Sequence, residues 1–184
     1  LVTLDDVGWN DLGYQSSDLW DATPHIDKLA AKGVRLSQYY GQPSCTPARA
    51  TLMTGQFAHK LGFQDLEVDE YSNFSLPLER TPALLPARLR ALGYKTYGLG
   101  KWNLGHCNAR YLPWARGFDS FLGYFSGGVS YTTHQAATFV RGDAEYALYD
   151  LVEGKSPSKS AGAAAAGDTL RVGTRHAGTY DTQL

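Results

Sequence analysis

"TPALLPARLRALGYKTYGLGK", Thr81–Lys101, reads as a helix that hands over directly to a strand. A proline inside a helix loses a backbone bond and clashes with the preceding turn, so the helix is expected to begin near Pro86. "YKTYGLG" follows as a strand, and Lys101 stands at its exit. Working outward, the same alternation recurs. "TPHIDKLAAKG", Thr23–Gly33, offers Thr23 as N-cap, Pro24 at the first helical position, Ile26, Leu29 and Ala30 on one face, and Gly33 as stop. "VRLSQYY", Val34–Tyr40, is the strand expected after it, and "LVTL", Leu1–Leu4, is a short buried-strand candidate ending at Asp5, Asp6 and Gly8. Pro47–Thr54 reads as a further helix, started by proline and closed by Gly55. Strands alternating with helices predict an α/β fold, a layered sheet with helices on both faces.

The bulk composition sets limits. The chain has 184 residues, 43% hydrophobic and 19% charged, which suffices for one core. A formal net charge of −1 gives no whole-chain attraction to nucleic acid or an anionic membrane, so any anion selectivity must be local. No apolar run approaches the roughly 20 residues of a membrane span, and no basic-then-apolar leader opens the chain. Its start at Leu1 suggests a processed or truncated product. The two cysteines, Cys45 and Cys107, make a disulfide framework unexpected. Beyond Arg141 the periodic signal weakens, and "GKSPSKSAGAAAAGD", Gly154–Asp168, reads as a low-complexity surface loop or insertion.

The residues capable of chemistry converge on one expected location. Asp5 and Asp6 follow the first strand candidate, Lys101 follows a later one, and Cys45 and Arg49 sit at a helix start. In open α/β sheets ligands bind outside the carboxyl ends of strands, and helix N-termini favour anions. Each residue alone has a bland reading: Asp5-Asp6 as a turn, Lys101 as a solvated charge, Cys45 as a small buried residue. Only their combination suggests a site. A thiolate phosphatase loop needs a longer gap between cysteine and arginine than the three residues here, and Thr51 stands where that arginine would be. Cys45 lacks a Cys or His at zinc-ligand spacing. Adjacent carboxylates suit a hard cation such as calcium or magnesium.

These stretches carry a resemblance. "CTPARATLMTG", Cys45–Gly55, resembles the signature of the sulfatase family, Cys-x-Pro-x-Arg followed by Thr-Gly. In that family the cysteine is oxidised after synthesis to formylglycine. "LVTLDDVGWNDLGYQ" resembles the family's opening strand with its metal-binding aspartates, and "TPHIDKLAAKGVRLSQYY" its first helix and second strand. "GYKTYGLGKWNLG" is similar to the second signature, and "RGFDSFLGYFSGGVSYTTH" to the arylsulfatase B type of continuation. The resemblance runs from Leu1 to about Tyr149 and resumes weakly near "GTYDTQL".

The resemblance implies an alkaline-phosphatase-like fold, truncated at the C-terminus, with the whole chain forming the N-terminal part of a single sulfatase catalytic domain. It implies hydrolysis of aryl or sugar sulfate esters. The hydrated aldehyde of a formylglycine made from Cys45 would supply the oxygen nucleophile, and its second hydroxyl would let sulfate leave by collapse back to the aldehyde, without an attacking water. Asp5, Asp6 and the modified Cys45 would hold calcium, with magnesium the other candidate; Arg49 would hold the nucleophile and Lys101 the sulfuryl oxygens. Thr133 occupies a position where some relatives place a serine near the sulfate, with His134 beside it. The implied partners are the sulfate ester and a formylglycine-generating enzyme, and the implied compartment is secretory, lysosomal or extracellular. Two departures stand out. The family completes its metal site with an Asp-Asn pair beyond the end of this chain, and Asn103 stands where the family has histidine, with His106 three residues on. The alternatives are a phosphonate or phosphodiester hydrolase of the same superfamily, and a non-catalytic sulfatase-like remnant.

Overall fold

The computed structural model describes residues 1–63, 68, 74–141, 144–156 and 171–172. The chain forms two compact units, Leu1–Gly41 and Gln42–Leu184.

In the first unit a helix, α1 (Pro24–Lys32), follows two short 3-10 turns at Trp9–Asp11 and Gly13–Gln15. Its boundaries are those expected from Thr23, Pro24 and Gly33. Thr23 occupies the N-cap position, yet its hydroxyl serves a different purpose. It accepts from the Gly13 N–H at 2.7 Å and donates to Asp27 at 2.8 Å, while Asp27 also accepts from the Tyr14 N–H at 3.1 Å. The first turn of α1 thereby organises the preceding loop. A Cβ on Gly13 would come within 2.9 Å of the Trp20 carbonyl oxygen, so this close approach requires glycine.

Two strand expectations fail in this unit. Leu1–Leu4 and Val34–Tyr40 adopt no strand, and Leu1, Val34 and Tyr40 are 91%, 89% and 83% exposed. Apolar alternation records a preference for a half-buried extended surface, but a strand exists only when its backbone N–H and C=O groups find a neighbour to pair with. Among the described residues neither segment pairs with a strand.

The second unit carries three further helices, α2 (Cys45–Thr54), α3 (Ala58–Leu61) and α4 (Leu85–Ala91). Helix α4 begins with Pro86 in its first turn, as the proline requires. Strand β1 (Tyr97–Lys101) follows at once and pairs in parallel with β2 (Ser120–Tyr124), Tyr97 opposite Ser120 and Lys101 opposite Tyr124. Two more strands extend this sheet in antiparallel fashion: β5 (Val152–Lys155) against β2, and β6 (Arg171–Val172) against β5. Strands β3 (Gln135–Arg141) and β4 (Ala144–Tyr149) form a separate antiparallel pair. The architecture is thus mixed α/β. Gly154 and Lys155, expected in the low-complexity loop, close β5; the rest of that stretch, 157–168, lies outside the described residues. Among the described residues no helix is long and apolar enough to cross a membrane.

The core of this unit is aromatic on the β1–β2 side. The Phe121 ring lies 6.5 Å from Trp102, 6.4 Å from Phe118 and 6.3 Å from Phe125, centroid to centroid. Leu61, Leu76, Leu84 and Leu104 complete the buried cluster. Glycine makes the sheet closable: a Cβ on Gly123 would collide with the carbonyl of Gly100 opposite, and one on Gly154 with the Trp114 indole. Helix α4 is fastened to the entry of β2 by Asp119. Its carboxylate accepts from the Thr96 N–H at 2.8 Å and meets Arg90 of α4 at 3.3 Å. Against the opposing pull of burial, that backbone N–H first, then the Thr96 hydroxyl, Arg90 and Lys95, hold the Asp119 carboxyl below its ordinary range.

Two outcomes follow for stability. Phe121→Ala, which empties the centre of the aromatic cluster, is expected to cost roughly 3–5 kcal/mol in urea unfolding. Asp119 stabilises the fold in its charged form, so its contribution is present above the ordinary carboxyl value of 3.8 and is lost as pH falls through its lowered folded value. Asp119→Asn should therefore lower the urea midpoint at neutral pH and flatten its decline below about pH 4, which a pH series of unfolding curves measures.

Candidate active site

Cys45 is the first residue of the ten-residue helix α2, two residues earlier than Pro47 suggests. Ser44 before it is extended, and Gly55 ends the helix in the left-handed region at φ 71°, its N–H bonded to the Thr51 carbonyl at 2.8 Å. Cys45 is partly buried, whereas Thr46, Pro47 and Ala50 behind it are buried. The helix is thus anchored by its inner face, with the cysteine left at the end where backbone N–H groups lack helical acceptors. That end favours a negative charge.

Arg49 lies one turn further on, on the same face as Cys45. Its Nη1 donates to the backbone carbonyl of Lys101 at 2.5 Å. The helix that begins with Cys45 is therefore tied to the last residue of β1. The parallel ladder continues past that point: the Trp102 N–H donates to the Tyr124 carbonyl at 2.9 Å and the Asn103 N–H to the Phe125 carbonyl at 3.1 Å. Lys101 and Asn103 thus leave the sheet at its carboxyl end on fixed backbone.

Asn103 is fully buried, with φ +56°. Its Oδ1 accepts from the Thr46 hydroxyl at 3.1 Å, and its Nδ2 donates to the Val68 carbonyl. The residue adjoining Cys45 and the residue two beyond Lys101 are in direct contact. Cys45, Arg49, Lys101 and Asn103 therefore gather at one place in the second unit.

Thr133 and His134 are placed through a different set of bonds. The Asp150 carboxylate accepts from the Phe125 N–H at 2.9 Å and the Ser126 N–H at 2.6 Å, and the Asp150 N–H donates to the His134 carbonyl at 3.1 Å. His134 is buried with φ +56°; Thr133 is exposed, and its hydroxyl accepts from the Gln135 N–H at 3.4 Å. His106 is stacked on Phe125, with ring centroids 6.0 Å apart. Asp5 and Asp6 belong to the first unit, where both carboxylates are exposed and Asp6 takes φ +55°. Cys45 and Cys107 form no disulfide with each other.

Sequence reasoning missed Thr46, Val68 and Asp150. Thr46 fills a variable place in the cysteine signature, and only its complete burial marks it. Asp150 does leave a signal, as a polar residue between two apolar runs, "YALY" and "LV".

Comparison with known proteins fits this arrangement. The family model described as Sulfatase matches residues 1–166. Mouse arylsulfatase J is 41% identical over 133 residues, covering 72% of this chain and 22% of that protein. Human N-acetylgalactosamine-6-sulfatase is 34% identical over 130 residues, covering 67% of this chain and 24% of that protein. The chain thus spans about a quarter of the length of the curated relatives it matches. Among solved structures, Ps i-CgsB superposes with a TM-score of 0.62 at 37% identity over 69% of this chain and 28% of that one. The PsFucS1 sulfatase from Pseudoalteromonas sp. does so with 0.52 at 28% identity over 74% and 29%. With them this chain shares the alkaline-phosphatase-like fold, of which it is a partial domain. The cysteine signature on a helix start, the lysine at a strand exit and the match over most of the chain agree, and the chain belongs to the sulfatase family.

Proposed function

We propose that this chain carries the nucleophile-bearing part of a sulfuric ester hydrolase that cleaves aryl or sugar sulfate esters. The observation that supports this reading is the bond from Arg49 to the Lys101 carbonyl, which draws the Cys45 helix against the strand exit that bears Lys101. Cys45, Pro47 and Arg49 form the recognition core for a formylglycine-generating enzyme. Once formed and hydrated, the formylglycine would supply one hydroxyl to attack sulfur and a second whose deprotonation re-forms the aldehyde as the C–O bond to sulfate breaks.

The surrounding residues have separable tasks. Arg49 orients the first turn of α2 and adds positive charge beside it. Lys101 binds the sulfuryl oxygens and steadies the charge that grows on them as sulfur is attacked. Thr133 and His134 are the further candidates for contact with the substrate. Asp5 and Asp6 offer adjacent carboxylate oxygens, a donor set that suits a hard cation, and with the converted Cys45 they would hold calcium, or magnesium in its place. Bound there, the cation supplies further neutralisation of sulfuryl charge. Asn103 cannot accept a proton near neutral pH, which is the one observation favouring the non-catalytic alternative.

Co-production with a formylglycine-generating enzyme tests the reading. Mass spectrometry of the Cys45 peptide should show thiol converted to aldehyde, and the converted protein should turn over an aryl sulfate in preference to an aryl phosphate. An unconverted thiol under those conditions rules the mechanism out, and preference for the phosphate ester points to the phosphodiesterase branch. Cys45→Ala should reduce turnover to background, and Lys101→Ala should lower kcat by about 10²–10³. Chelation of divalent cations should suppress turnover, with calcium restoring it.

A further inference from the structure

Three buried groups around Cys45 close on one another. The Thr46 hydroxyl donates to Asn103 Oδ1 at 3.1 Å, Asn103 Nδ2 donates to the Val68 carbonyl, and the Val68 N–H donates back to Thr46 Oγ1 at 2.9 Å. Thr46, Asn103 and Val68 are each 0% exposed. This is a complete cycle: each residue gives one hydrogen bond and receives one, with no water needed. Complete buried networks of this kind hold a single arrangement, because opening any link strands a polar group away from solvent.

The cycle also selects its residues. A threonine hydroxyl can donate and accept at once, whereas valine of the same shape can do neither. A carboxamide presents one acceptor and one donor side by side. Flipping it would set oxygen against the Val68 carbonyl, so the network itself fixes the orientation. Asparagine is further among the few non-glycine residues that tolerate the left-handed backbone seen here, φ +56°. An aspartate would exchange the Nδ2 donor for a carboxylate oxygen facing a carbonyl.

We propose that Thr46 and Asn103 are positioning residues for Cys45, joined through the Val68 backbone into a lock that fixes the first turn of α2 relative to the exit of β1. Thr46 adjoins Cys45 in the chain, and Asn103 sits on backbone held by the sheet through its N–H to the Phe125 carbonyl, 3.1 Å. Arg49, bonded to the Lys101 carbonyl one turn along, is the second point of attachment. Two tethers on successive turns leave the helix start neither rotation nor slide. Asn103 therefore acts on the nucleophile through Thr46 and by geometry, not as a proton acceptor. The lock stands on the hydrogen bonds alone; its catalytic consequence rests on the sulfatase reading.

The test uses the two thiols of the unconverted chain, since Cys107 is exposed and serves as the internal comparison. Thr46→Val should raise the iodoacetamide reaction rate of Cys45 about tenfold or more while leaving Cys107 unchanged, because the helix start opens locally. Thr46→Ser, which keeps the hydroxyl, should stay within about twofold of the original rate, and Asn103→Gly, which keeps the backbone but removes the carboxamide, should behave like Thr46→Val. A Cys45 rate that rises only in proportion to each variant's loss of global stability, measured by urea unfolding, would count against the lock. Should a variant fail to fold, hydrogen exchange in the unaltered protein decides: the Val68 amide should exchange at least about a hundredfold slower than in an unfolded chain, and exchange at the unfolded rate overturns the proposal. In the formylglycine form, Thr46→Val should lower kcat by about 10–10² with little change in KM, and serine should restore it. Thiol and exchange results as expected without sulfate ester turnover would leave the lock standing and remove the sulfatase reading; equal Cys45 rates in all folded variants would remove the lock.

Discussion

The hydrogen bond between the Arg49 side chain and the Lys101 carbonyl is the constraint on which the candidate site depends. It joins two elements of unlike kind, a helix whose first residue is the proposed nucleophile and a strand whose last residue is the proposed anion-binding cation. Neither end is free to adjust. Pro47 and Ala50 bury the inner face of α2, and Lys101 is held in register opposite Tyr124 by the parallel ladder. A charged donor meeting a backbone carbonyl at a part-buried position forms one of the stronger hydrogen bonds available to a protein. Arginine suits the place because it carries further donors on the same rigid plane.

The close approach of β1 and β2 makes this geometry affordable. Gly98 and Gly100 alternate with Leu99 and Lys101 along β1, and Gly123 lies opposite Gly100. A Cβ on Gly123 would meet the Gly100 carbonyl, so glycine is required at that level, and the backbone of Trp102 and Asn103 continues to pair with Tyr124 and Phe125 beyond the formal end of the strand. Asp150 then fixes the N–H groups of Phe125 and Ser126. The site is thus supported by backbone hydrogen bonds on three successive residues, which resist displacement better than side-chain packing alone.

What could be read from the sequence divides along a physical line. Elements whose limits are written in local backbone chemistry were legible: α1 between Thr23-Pro24 and Gly33, α2 closed by Gly55, α4 opened by Pro86, and β1 ending at Lys101. Elements that exist only through pairing were not. Leu1–Leu4 and Val34–Tyr40 have strand-like composition but no ladder among the described residues, while β2 to β6 carry weak alternation and are strands because a neighbour supplies their hydrogen bonds. The same division holds at the site. Cys45, Arg49 and Lys101 advertise themselves by chemical type and spacing. Thr46 and Val68 do not, since a threonine and a valine are ordinary core residues until their partners are known.

Asn103 brings both lines together, because one position cannot serve two purposes at once. A histidine there could take a proton from the nucleophile, but its ring offers one donor and one acceptor on opposite sides, and only one of them could face Thr46 and Val68. The carboxamide presents both on the same side and closes the cycle, giving up proton transfer for a fixed helix start. In the proposed mechanism, attack on sulfur needs a well-placed oxygen and local positive charge, which the lock, Lys101 and Arg49 would supply; collapse of the ester needs a proton acceptor, which a carboxamide cannot be. The first step should therefore outrun the second. A converted enzyme of this kind is expected to release a burst of phenol from an aryl sulfate and then turn over slowly, with the covalent sulfate ester detectable on the Cys45 peptide by mass spectrometry. Burst-free, rapid turnover would instead require that another group in the site, with His134 the nearest in chemical type, accept the proton.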